Sequence, residues 1–257
     1  MARKPNFSPT KISTYLECPT KYRYVYIDKI GRFFLKSKSF YSFGSTLHHV
    51  LQVFHAEGAT ASIDEMLAVY RSGWIGAGYE SPEQEAEYAA LGEEILRSYH
   101  SSAMLRKSLG IETLFTEKQF SADLGEFVVS GRFDRLDIHP DGALEIVDYK
   151  SGRMDTSADE MSDDLAMRIY QVILRRNYPD ARVIATIHAL RTGHEASDEM
   201  PSERAAEFEA YLADIAAEIL NRDFDEAVPK RIQICETCDF RSRCEQYWRK
   251  HKQEDEP

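Results

Sequence analysis

ALEIVDYKSG, residues 143–152, is an apolar run that ends in Asp148, Tyr149 and Lys150 and turns at Ser151 and Gly152. Side chains alternate between the faces of a strand, so Asp148 and Lys150 point one way and Tyr149 the other. A carboxylate and an ammonium then stand side by side where a buried strand emerges. That pairing suits metal-assisted hydrolysis, with the carboxylate holding a divalent cation and the ammonium orienting water or meeting developing negative charge.

Two further strands precede this one. After Ile111 the hydrophobic period changes from helical to alternating, giving strands over 112–121, 126–138 and 143–150, with turns at Gly125 and Asp141-Gly142. In the middle strand Asp134 shares a face with Leu136 and Ile138, and an acid among apolar neighbours needs a reason. A hairpin brings it onto the sheet face of Asp148 and Lys150.

Helices flank this core. Ser8-Pro9 starts a short one that Cys18-Pro19 closes. Residues 43–57 form a stronger one, with Leu47, Val50, Leu51 and Phe54 as its buried stripe and His48 and His55 on its flank. Residues 64–74 and 83–109 continue as helices and make 58–110 a helical insertion. Beyond the third strand come a helix over 158–177, a central strand over 181–190 and a helix over 202–221. The expected fold is α/β, with the core order helix, three strands, helix, strand.

Charge is unevenly distributed. The chain of 257 residues carries a net charge of −11, but residues 1–50 hold nine Lys/Arg against two acids, +7, and residues 230–250 six against three, +3. The middle is left at −21. Two basic ends serve a polyanion if they meet, and the four cysteines offer the join. Cys235, Cys238 and Cys244 read C-x2-C-x5-C, and Cys18 is the remaining candidate for a fourth thiolate. Zinc and an iron–sulfur cluster both accept four thiolates, and the spacing does not choose between them. Tyr22, Tyr24 and Tyr26, interleaved with Lys21, Arg23 and Lys29, are candidates for stacking on the bases of a single strand. The opening MARKPNFSPT has no apolar leader and no run reaches a membrane span, so the expected address is cytoplasmic, without membrane contact.

Together these residues resemble the PD-(D/E)XK nuclease superfamily, in its RecB-like iron–sulfur branch, which includes the AddB nuclease domain and CRISPR-associated spacer-processing exonucleases. Gly44, His48 and Leu51 match its G-x3-H-x2-L motif. Gly131, Asp134 and Arg135 match G-x-x-D-R, and Asp148, Tyr149 and Lys150 match D-Y-K. The resemblance implies a restriction-endonuclease-like core spanning 1–257 as one domain, with residues 1–42 and 229–250 as arms around a structural 4Fe-4S cluster on Cys18, Cys235, Cys238 and Cys244. It implies magnesium or manganese held by His48, Asp134, Asp148 and the Tyr149 carbonyl, the imidazole favouring manganese. Lys150 then serves the attacking water, and Tyr170 with Gln171 positions the phosphodiester. The implied activity is a DNA exonuclease on single-stranded ends, with a helicase- or integrase-type protein partner. One departure stands out: the family's Gln-x3-Tyr has Ala166 where the glutamine belongs, which keeps open a non-catalytic DNA-binding or assembly subunit.

Overall fold

The computed structural model describes residues 4–34, 38–152, 155–225 and 228–251. In chain order the elements are β1 (Asn6–Phe7), α1 (Pro9–Glu17), α2 (Pro19–Tyr22), α3 (Ser39–Ala56), α4 (Ile63–Ser72) and α5 (Pro82–Ser108). They continue with β2 (Glu112–Asp123), β3 (Val128–Ile138), β4 (Leu144–Lys150), α6 (Ala158–Asp163), α7 (Leu165–Asn177), β5 (Val183–Ala189), β6 (His194–Asp198), α8 (Ser202–Asn221) and α9 (Arg241–His251). Among the described residues no helix is long and apolar enough to cross a membrane. The chain forms two compact units, residues 1–6 with 37–210, and residues 7–36 with 211–257.

The first unit is built on a mixed sheet in the order β1-β3-β4-β5-β6, with β2 also paired to β3. The hairpins β2-β3 and β3-β4 are antiparallel, and β4 and β5 run parallel across the α6–α7 crossover. β4 is buried along its whole length until Lys150, as a strand with neighbours on both edges requires. On one face α3, α4 and α5 close a core of Phe43, Leu47, Leu51, Phe54, Leu67, Leu96 and Val147. Each such side chain contributes about 1.5–3 kcal/mol by leaving water. On the other side α7 packs against β2, β3, β4 and β5.

The helix expected over 158–177 is two helices. Asp164 takes an extended backbone and its side chain accepts the Met167 amide, so it caps α7 and breaks the run. β6 has no counterpart in the expected elements, because HEASD carries one buried apolar side chain, Ala196.

In the second unit α1 starts at Ser8, whose hydroxyl accepts the Lys11 amide. Tyr22 stacks on Phe224 and meets Tyr15 edge-on, and Tyr24 packs on Phe240. Tyr22 and Tyr24 are buried. This corrects their reading as base-stacking residues, because an aromatic ring gains more from a core than from water.

Candidate active site

The ladder between β3 and β4 runs from Ile138↔Leu144 to Arg135↔Val147 and ends there. Two residues further along β4, the Tyr149 amide donates to Asp134 Oδ2 at 2.9 Å. A side-chain carboxylate thus replaces the backbone acceptor, and the strands part where Asp134 and Asp148 stand. The Tyr149 phenol lies 2.7 Å from both Tyr99 Oη and Arg135 Nη1, all of them buried. That anchor fixes Tyr149, and alternation along the strand turns Asp148 and Lys150 to the opposite side.

His48, two turns into α3, reaches the same opening. Its Nε2 lies 3.1 Å from the Tyr149 carbonyl oxygen, and its Nδ1 is 3.4 Å from Asp134 Oδ2 and 3.7 Å from Glu117 Oε1. Lys150 Nζ stands 2.7 Å from Asp148 Oδ2. That oxygen is buried and accepts no hydrogen bond among the described residues, so the ammonium meets it as a charge without alignment. A cleft of about 930 Å³ opens here, lined by His48, Glu117, Arg132, Tyr149, Lys150 and Asp164 among others.

Two motif glycines follow from close approach. A Cβ on Gly131 would lie 2.3 Å from Tyr170 Cε1, and one on Gly44 would lie 2.9 Å from Ser151 Oγ. The first lets α7 bring Tyr170 against β3, and the second lets α3 close on the turn after Lys150.

The electrostatics are those of crowded carboxylates. Burial opposes the charged form of His48, but Asp134 and Glu117, with Asp148 behind them, outweigh it and raise its pKa to about 10. The imidazolium therefore donates to the oxygens it faces. Burial lifts Asp148 to about 6; Lys150 pulls it back and Asp134 pushes it further up. Burial also works against the Lys150 charge, yet Asp148, Asp164 and Asp134 hold its pKa above that of an ordinary lysine. The Tyr170 phenol is driven upward by burial and by the neighbouring Asp148 and Asp134, and keeps its proton.

These residues fit a hard divalent cation. One ligand atom each from His48, Glu117 and Asp134 lie within 4.8 Å of one another, a group that does not include Asp148; Asp148 interacts with Asp134 and His48 through charge. Oxygen donors with one imidazole suit magnesium or manganese. Glu117 was not among the residues singled out from the sequence. It lies in β2, where a lone acid in an alternating strand reads as solvent-facing, and its φ of 49° is invisible in the sequence.

A family profile for the PD-(D/E)XK nuclease superfamily matches residues 6–245. The chain belongs to that superfamily. Two relatives from Streptococcus pyogenes, of serotype M49 (strain NZ131) and of serotype M1, are subunits of an ATP-dependent helicase/deoxyribonuclease. Each is 45% identical over 69 residues, which make up 26% of this chain and 6% of theirs. This chain thus spans a small part of those relatives' length. The crystal structure of a candidate exonuclease from Eubacterium rectale superposes with a TM-score of 0.53 over 93% of this chain and 86% of its own, at 14% identity, a likeness of fold alone.

Within this PD-(D/E)XK member two of the expected features differ. Gln171 is buried, and its amide is occupied: Nε2 donates to Asp198 Oδ2 at 3.1 Å and Oε1 accepts the Met200 amide at 2.8 Å. One step along a helix is a turn of about 100°, so it binds β6 and its neighbourhood and leaves Tyr170 alone with Ala166 one turn before. The cysteine staple is the second difference. The four thiols lie in the second unit, free of disulfides and half-buried. Burial raises Cys244 to about 11, with Cys18, Cys238 and Cys235 adding to the rise. Among the described residues no three of these sulfurs come within 4.8 Å of one another. A single tetrahedral zinc at about 2.3 Å from each thiolate needs sulfurs roughly 4 Å apart, so the set is not shaped for one such ion.

Proposed function

We propose that this chain is a divalent-metal-dependent deoxyribonuclease acting on single-stranded DNA ends. One observation carries the reading: a half-exposed lysine is paired to a buried aspartate whose oxygen accepts no hydrogen bond among the described residues, Lys150 shares a cleft with His48 and Glu117, and those two group with Asp134. Asp134, Asp148 and Glu117, with the Tyr149 carbonyl and deprotonated His48, are the groups that would hold magnesium or manganese. Such a cation supplies polarisation of the phosphate and of an attacking water. Lys150 carries fixed positive charge to the cleft wall, where negative charge grows on the phosphate oxygens. Tyr170 keeps its proton and offers an O–H to a phosphate oxygen. Asp134, by taking the Tyr149 amide, holds the two strands apart so that a phosphodiester can enter.

The cysteines are proposed as ligands of a 4Fe-4S cluster. Their number, their C-x2-C-x5-C spacing, their shared neighbourhood and their separation beyond that of a zinc site support it. Anaerobic purification giving a colourless, iron-free protein removes that part. The names of the streptococcal relatives support a helicase-type partner.

End-labelled single- and double-stranded DNA with manganese, comparing the unaltered chain with Lys150→Ala, tests the nuclease. Expected is cleavage that Lys150→Ala loses. If both proteins are equally inert on every DNA, the enzyme reading fails. The second reading, a non-catalytic DNA-binding or assembly subunit, is favoured by Ala166 and by the engagement of Gln171 with Asp198 and Met200.

A further inference from the structure

The start of α3 places two large rings in the open at the mouth of the cleft. Phe40 is 51% and Tyr41 60% exposed, with ring centroids 4.3 Å apart. Both line the cleft that His48, Glu117 and Lys150 line. Tyr41, Ser45, His48 and Gln52 stand at i, i+4, i+7 and i+11, so one stripe of α3 forms that wall. Seven to eight residues at about 1.5 Å each put the rings roughly 10–12 Å along the helix from His48. At about 3.4 Å per stacked nucleotide that distance is roughly three nucleotides. Gly44, between the rings and His48, lets the turn at Ser151 come close, so the pair and the end of β4 face one opening.

We propose that Phe40 and Tyr41 are a stacking platform for an unpaired nucleobase about three nucleotides from the phosphate at the carboxylate cluster. This rests on the nuclease reading and adds the residues that would select single strands. The chemistry of the occupant follows from the wall. Exposed aromatic pairs invite a flat π surface. The Lys38 ammonium, 5.8 Å from the Phe40 ring, and the Arg132 and Lys150 side chains in the same cleft suit a polyanion that carries such surfaces at regular intervals. A base inside a duplex already has both faces covered, so the platform gains nothing from it. Tyr22 and Tyr24 of the second unit do not compete for this role, because they are buried.

The test is fluorescence anisotropy with this chain in the absence of divalent metal, using an oligo-dT strand, an abasic strand of equal length and a blunt duplex. Phe40→Ala/Tyr41→Ala is expected to weaken oligo-dT binding about 5- to 150-fold and to leave the abasic strand and the duplex within twofold. Phe40→Trp/Tyr41→Phe restores oligo-dT binding. Unchanged oligo-dT affinity in the double-alanine variant, or an equal loss on all three probes, overturns the platform; the latter marks a general electrostatic or protein-docking surface. Circular dichroism and thermal unfolding verify that the exposed substitutions leave the fold intact. Binding needs no hydrolysis, so a protein that cleaves nothing yet shows the base-dependent loss removes the nuclease reading and keeps the platform. A protein that cleaves while its double-alanine variant binds oligo-dT normally does the reverse.

Discussion

Lys150 Nζ lies 2.7 Å from Asp148 Oδ2, a buried oxygen that accepts no hydrogen bond among the described residues. An ion pair of poor alignment in a buried place is a weak stabiliser, so a chemical role accounts for the pair better than a structural one. Lys150→Ala is expected to lower kcat on labelled DNA by about 10²–10⁴-fold while manganese affinity, measured by calorimetry, changes by less than tenfold. Activity within threefold of the unaltered chain would remove Lys150 from the mechanism.

Glu117 holds a left-handed backbone at φ 49°, a conformation that costs a non-glycine residue roughly 1–2 kcal/mol. Its carboxylate sits 2.7 Å from Arg132 Nε and 3.7 Å from His48 Nδ1. That strain is consistent with a side chain placed for a ligand. Glu117→Gln is expected to weaken manganese binding about 10–100-fold, with Glu117→Asp between the two. Unchanged calorimetric affinity would leave Glu117 as a mere partner of Arg132.

Gly131 touches the Tyr170 ring so closely that no side chain fits. Gly131→Ala is expected to destabilise the fold by about 1–3 kcal/mol through overpacking. Tyr170→Ala in that background should recover part of the loss, because the clash is between those two positions. Urea unfolding of the four proteins in the cycle measures this, and additive losses contradict it.

Much of this site was legible because chemistry and periodicity coincide. The alternation in β4 set Asp148 and Lys150 on one side, and the acid among apolar residues in β3 singled out Asp134. Glu117 escaped because nothing in an alternating strand marks a positive φ. Gln171 was misplaced because its partners, Asp198 and the Met200 amide, belong to a strand and its flank whose polar sequence hides them. Tyr22 is buried and Phe40 exposed: whether an aromatic ring is covered depends on what packs over it, and local sequence does not hold that information.

His55 offers a test of the buried network behind the sheet. Its ring contacts Tyr99 Oη and Thr113 Oγ1, and Arg135 Nη1 lies 3.0 Å from its Nε2. Burial, and next the Arg135 charge, lower its pKa from 6.5 to about 2. The unfolded chain therefore takes up a proton below pH 6.5 that the folded chain refuses until about pH 2. Stability contributed by neutral His55 is complete above pH 6.5 and falls as the pH drops, by about 1.4 kcal/mol per unit once well below that value. His55→Gln keeps a hydrogen-bonding group but no titration, so it is expected to be less stable than the unaltered chain at pH 7.5 and to lose less between pH 7.5 and 5. Urea midpoints at the two pH values decide it, since parallel losses in both proteins would mean that His55 is protonated in the fold.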